Sequence, residues 1–252
     1  MKKAFILLLA ISLLCMGVAL AEPAPPYVPL EDPGNLVLDI PWGISVDELQ
    51  SLVKEKTGWE LVAGEKVNGI TSYYRTPDTA EPSFLGEPCE TLRFLVNGVP
   101  ANAVGEFYRV ALVEYPLLEG LPGEEVVHQI EKLLKTYSDH YGAMHHIHIQ
   151  VGTGIENSEV FFDFPFDADG QIDQDALLLA TRELGVINVF ACFQNISLTS
   201  DIYYNPESDL YLWYSLAVFV QPTEETAMPK FHDLDSLGSF TDFYETQINP
   251  TV

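Results

Sequence analysis

Between residues 187 and 220 three strand-like runs follow one another, at 187–194, 196–204 and 210–220, and the gaps between them are too short to hold a helix. Parallel neighbours need a crossover of about a dozen residues or more, so these runs can pair in succession only as antiparallel strands. The last run, Leu210 through Val220, is apolar at both alternating sets of positions. That predicts a strand covered on both faces, near the centre of its sheet. Similar β-branched and aromatic runs occur at 36–40, 70–75, 91–96, 106–115, 144–151 and 159–166. Asn97-Gly98 predicts a turn after the run at 91–96, and 76–90, with Pro77, Pro82, Gly86 and Pro88, reads as loop.

Three segments carry a helical period instead. At 45–57, Ser45 and Glu48 stand in capping-box positions, Val46, Leu49, Leu52 and Val53 form one stripe, and Gly58 stops the helix. At 124–141, Val126, Val127, Ile130, Leu133, Leu134, Tyr137 and Tyr141 keep the 3.6-residue period up to Gly142. At 174–184, Asp173 is the N-cap and Gly185 the stop. Strands are thus joined mainly by loops and hairpins, not by helices. The expected class is α+β, an antiparallel sheet with helices packed on one face. A helix followed by strands occurs twice, which suggests two helix-plus-meander halves at 36–115 and 120–220 within one domain, 36–252. The extension 221–252 has no strong period and reads as loop with room for one short helix.

The first 21 residues have the form of a secretory signal: Lys2 and Lys3, an apolar run, and Ala19-Leu20-Ala21 before Glu22. Residues 22–35 hold five prolines and read as an extended tether. The expectation is a secreted protein without a membrane span in the mature chain. Asp and Glu number 37 against 12 Lys and Arg, a net charge of −25, which loss of Lys2 and Lys3 takes to −27. Such a chain is ill suited to phosphate backbones or anionic lipid, so no nucleic-acid partner is expected.

Several residue groups invite chemistry. Cys89 and Cys192 remain after cleavage; they permit a disulfide, worth roughly 4–5 kcal/mol on the chain-entropy account, or they are two small buried hydrophobes. Asp167, Asp169 and Asp173 fall at alternate positions around Gly170, in the manner of a calcium loop. Pro165 and Ala176 stand where the first and last ligands belong, so the cage allows at most weak calcium; the competing reading is a turn with Asp173 as helix cap. His146 and His148 share one face of a strand, a transition-metal ligand spacing that still needs a third ligand, His140 or a distant carboxylate. The competing reading is a solvated strand face. No Gly-x-Ser-x-Gly elbow, His-Glu-x-x-His helix or Gly-rich phosphate loop is present. Among the aromatics, Trp213 reads as core, and Tyr203 and Tyr211 as strand residues able to face outward.

The first strand, the Trp42-Gly43-Ile44-Ser45 step and the helix up to Gly58 resemble the opening of small exported modules of the SmpA/OmlA type, and the β-lactamase-inhibitor-like proteins are similar. The resemblance covers the N-terminal quarter. It implies helices on one face of an antiparallel sheet and a role in binding other proteins, and it carries no functional residue over. The sequence therefore predicts an exported, soluble, monomeric and non-catalytic binding protein. Its partner would be a protein or glycan outside the cytoplasm, engaged by Tyr203 and Tyr211, and no cofactor is required. The alternative is a carboxylate- or metal-dependent hydrolase of an extracellular polymer, motivated by His146, His148 and the acid-rich loop.

Overall fold

The computed structural model describes residues 37–75, 83–98, 106–152, 159–193, 196–220 and 238–248. The leader, the tether and most of the segment 221–252 lie outside the described residues. Helix α1 (Val46–Thr57) begins at the predicted capping box: the backbone N–H of Glu48 donates to Ser45 Oγ, and the backbone N–H of Ser45 donates to Glu48 Oε2 at 2.9 Å. It ends at Gly58, whose φ of 75° lies in the left-handed region that favours glycine. Then come β1 (Leu61–Val67), β2 (Ile70–Arg75), a minimal hairpin of β3 (Ser83–Phe84) and β4 (Glu87–Pro88), β5 (Thr91–Gly98), β6 (Glu106–Glu114) and β7 (Leu118–Leu121). Helix α2 (Gly123–Tyr141) follows, then β8 (His146–Gly152), β9 (Glu159–Asp163), helix α3 (Gln174–Leu184), β10 (Val186–Phe193), β11 (Ile196–Asn205) and β12 (Leu210–Val220). A short helix α4 (Phe240–Phe243) runs into a π-helical turn at Tyr244–Ile248.

Ten strands form one sheet in the order β1-β2-β5-β6-β12-β11-β10-β8-β9, with β7 also paired to β12. Every ladder in it is antiparallel. The fold is α+β, as expected, and β12 sits in the middle of the sheet between β6 and β11. Each half runs from a helix through its strands toward the centre, where the last strands β6 and β12 pair. In the second half β9 and α3 are inserted between β8 and β10, and β9 becomes an edge.

All four helices pack on one face. Leu49 and Val53 of α1, Val126, Ile130, Leu133 and Tyr137 of α2, Leu177 of α3 and Phe240 of α4 share one buried cluster with Phe94, Val113, Ile149, Val189, Ile202, Trp213 and Phe219 of the sheet. Burying each such apolar side chain stabilises by about 1.5–3 kcal/mol relative to exposure. Among the described residues the opposite face carries a smaller cluster around Leu95, Val110, Leu112 and Leu216, and no described helix contributes to it.

Three local expectations are corrected. The segment expected as a strand at 36–40 forms a 3-10 turn, Val37–Asp39, with Leu38 and Asp39 at φ of 54° and 53°. Its apolar residues are spaced for a turn that buries Val37 and Ile40 together, not for alternation. Strand β5 continues through Asn97-Gly98, which pairs with Phe107 and Glu106 rather than making a turn. Finally, β1 and β7 are additional strands; neither has apolar alternation, because β1 is an exposed edge and β7 is mostly exposed.

Candidate functional site

Side-chain alternation decides what the helix-free face presents. On β11, Leu198, Ser200 and Ile202 point to the helices, so Asp201 and Tyr203 point away. On β12, Trp213 enters the helix-side core and Tyr214 faces the other way; on β10, Ala191 and Phe193 enter the core and Asn188, Phe190 and Cys192 face away. Register then aligns side chains across strands. Tyr214 opposes Asp201, Asp201 opposes Asn188, Asn188 opposes Gln150, and Gln150 opposes Phe161. These five residues make one row over five strands, about 19 Å long at the usual strand spacing. An aromatic ring stands at each end, with a carboxylate and two amides between. Tyr203, 44% exposed, stands beside Asp201 two residues along β11, and Phe161 is 37% exposed.

Two carboxylates on this face have different surroundings. Glu114 accepts hydrogen bonds from Thr91 Oγ1 and from Tyr214 Oη (3.2 Å), and it pairs with the Arg93 guanidinium. Asp201 accepts from Asn188 Nδ2 at 2.8 Å, and no basic side chain among the described residues pairs with it. Burial raises the Asp201 carboxyl above its ordinary range, opposed in part by the Asn188 hydrogen bond. Five other described cations pair with carboxylates elsewhere: Lys54 with Glu60, Lys56 with Asp39, Lys132 with Glu87, Lys135 with Asp139 and Arg182 with Asp209.

The aromatic pair expected to face outward divides. Tyr203 does so, whereas Tyr211 is 2% exposed and turned into the helix-side core against Tyr204. Its strand is apolar on both faces, so parity could not be read from composition.

His146 and His148 do share the helix-free face, but they turn toward each other: Nε2 of His146 lies 2.8 Å from Nδ1 of His148. His148 is buried beside Phe190 and Phe161. Burial and the neighbouring His146 lower its pKa to about 4, against a hydrogen bond to Gln150; His146 is also lowered by burial, with Asp163 opposing. His140 is on α2, edge-on to Tyr141, and does not join them.

In the Asp167–Asp173 loop, Asp167 Oδ1 accepts from the backbone N–H groups of Asp169 and Gln171, both at 2.9 Å, and Asp173 Oδ1 accepts from Ala176 N at 3.0 Å as the cap of α3. Those are the bonds of a strand-to-helix turn. Among the described residues no group of three or more His, Cys, Asp or Glu side chains converges on a point a metal could occupy.

Neither Cys89 nor Cys192 is part of a disulfide, and both are buried. Cys89 belongs to the helix-side core, while Cys192 faces the other side of the sheet between His146 and Ser197, so the bridge the sequence permitted is not made. Burial pushes the Cys192 thiol up to about 12, which leaves it protonated and unreactive at neutral pH.

A cavity of about 170 Å³ lies beside β9, lined by Phe164, Phe166, Ala176, Ser239 and Phe240 among others; its one carboxylate is Asp163 and it holds no histidine or cysteine. No helix among the described residues is long and apolar enough to cross a membrane. Comparison with known protein families, characterised proteins and solved structures finds no match to this chain.

Proposed function

We propose that the chain is an exported, non-catalytic binding protein that engages a macromolecular partner outside the cytoplasm through the helix-free face of its sheet. The observation that carries this reading is the row Tyr214–Asp201–Asn188–Gln150–Phe161, with Tyr203 beside it: half-exposed polar and aromatic side chains aligned across five antiparallel strands. Sites built on strands hold their side chains more firmly than sites on loops. Enzyme sites are concave and gather perturbed titratable groups around one point. Here the cavity beside β9 is small and nearly without titratable groups, and the histidines are spent on each other. The N-terminal signal pattern and the similarity of the opening segment to exported binding modules favour the same reading.

The charge of −27 on the mature chain favours a cationic partner and steers its approach. The test is capture of a partner from the extracytoplasmic fraction of the source cell by the exported chain and by two variants. Capture should be lost with the double substitution Tyr203→Ala and Gln150→Ala, and kept with Lys135→Glu on the helix side. Affinity should fall about tenfold or more from low to high salt, because exposed charges are screened beyond about 8 Å at physiological ionic strength. Equal capture by all three proteins, or turnover of a peptide, ester or glycoside by the purified chain, would overturn the proposal.

A further inference from the structure

We infer that Asp201 and its two flanking tyrosines form a subsite for one arginine side chain of a basic protein partner; this rests on the binding face proposed above and names the chemistry it takes. Asp201 lies near the middle of the helix-free face. Tyr214 stands across from it on β12, Asn188 across from it on β10, and Tyr203 two residues along its own strand. The carboxylate is therefore framed by two phenol rings and one amide, and the amide fixes it by donating to Oδ1 at 2.8 Å.

The same face shows how a carboxylate is satisfied there. Glu114 has the Arg93 guanidinium, the Thr91 hydroxyl and the Tyr214 hydroxyl. Asp201, half-buried, has one neutral donor and no cation among the described residues. A carboxylate removed from water without a cation is costly to keep ionised, so a cation brought by a partner gains most at this position. Tyr214 gives its hydroxyl hydrogen to Glu114 and packs against the Leu95, Val110, Leu112 and Leu216 cluster, so it walls the site on the β12 side and leaves the stacking surface to Tyr203.

Arginine fits this frame better than lysine. Its guanidinium is planar and presents a fork of N–H donors, which matches the free edge of a carboxylate while the plane lies against an aromatic ring. Cations are attracted to the faces of tyrosine rings, more so where water is partly excluded. Tyr203 supplies such a ring, 44% exposed, and Arg93, held over Tyr74 at 5.2 Å from the ring centre while paired with Glu114, realises the same combination elsewhere on this face. An anionic glycan or peptide is disfavoured by Asp201 and the acidic field around it. An uncharged glycan would use the amides but gain nothing from the unpaired carboxylate.

The experiment is an NMR titration of the isotopically labelled exported chain with two blocked tripeptides, acetyl-Gly-Arg-Gly-amide and the same peptide with citrulline, which keeps the shape and removes the charge. The arginine peptide should give saturable shifts at the backbone amides of Asn188, Asp201, Tyr203 and Tyr214, and the citrulline peptide none. Asp201→Asn, which keeps size and the Asn188 contact, should weaken the arginine response at least tenfold. Tyr203→Ala, at an exposed position, should weaken it severalfold while leaving the rest of the spectrum unchanged. Absence of saturable shifts at these four residues, an equal response to citrulline, or an unaltered response in Asp201→Asn would overturn the inference. If instead partner capture survives Asp201→Asn but is lost with Tyr203→Ala and Gln150→Ala, the arginine subsite falls and the binding face stands.

Discussion

Tyr203 and Tyr211 carry the same side chain on adjacent strands and end on opposite faces. The register explains it: Tyr203 opposes Leu212, while Tyr211 opposes Tyr204 and follows it toward the helices. Tyr203→Ala should change stability by less than about 0.5–1 kcal/mol, because an exposed ring gives up little packing. Tyr211→Ala opens a cavity in a filled core and should cost about 3–5 kcal/mol, as aromatic-to-alanine changes in cores do. Urea titration of the two variants reads both numbers, and comparable losses would show that the faces are assigned wrongly. Parity along 196–204 is legible in the sequence because Leu198 and Ile202 alternate with polar residues. It is illegible along 210–220, where both faces are apolar, and the outward placement of Tyr211 was lost there.

Among the elements, the helices were legible to within a residue or two, since caps and stripes are local: Ser45 with Glu48, Asp173, Gly58 and Gly185 all stand where the chain needs them. Edge strand β1 was not, although a signal for it exists. Asn68 and Gly69, at φ of 51° and 82°, are the two-residue turn that joins β1 to β2, and an Asn-Gly pair favours such hairpins. The candidate row was illegible for a different reason. It needs β8 beside β10, and that adjacency follows from β9 going to the sheet edge while α3 packs over β10 and β11, a tertiary choice that no local pattern records. Strand β8 also carries a pH dependence. His148 binds its proton more weakly folded than unfolded, so between pH 6.5 and about 4 the unfolded chain takes up more protons and stability falls as pH falls. The contribution is full above about pH 6.5. At about 1.4 kcal/mol per pKa unit the shift is worth up to about 3 kcal/mol, or up to roughly 6–12 °C in Tm. Melting curves from pH 7 to 4 should show a shallower decline for His148→Gln than for the parent chain. Parallel declines would mean that His148 is not neutralised by its setting.

At the scale of the whole molecule, the proposed binding role rests on asymmetry. Among the described residues one face of the sheet is covered by α1, α2, α3 and α4, and the other is left to the strands. An antiparallel sheet tolerates this, because alternate residues can be polar on the open side. The acidity has a matching consequence. Six described Lys and Arg side chains pair with carboxylates, and with 37 Asp and Glu against 12 Lys and Arg most carboxylates have no basic side chain to match them, which under the proposed role would draw a cationic partner. The most direct test is hydroxyl-radical footprinting of the chain from residue 22 onward, alone and with its captured partner. The account predicts that Tyr203 and Phe161 oxidise readily in the free chain and are protected in the complex, while Tyr211 stays unmodified in both. Protection confined to the helix side, with Tyr203 oxidised equally in both states, would contradict it.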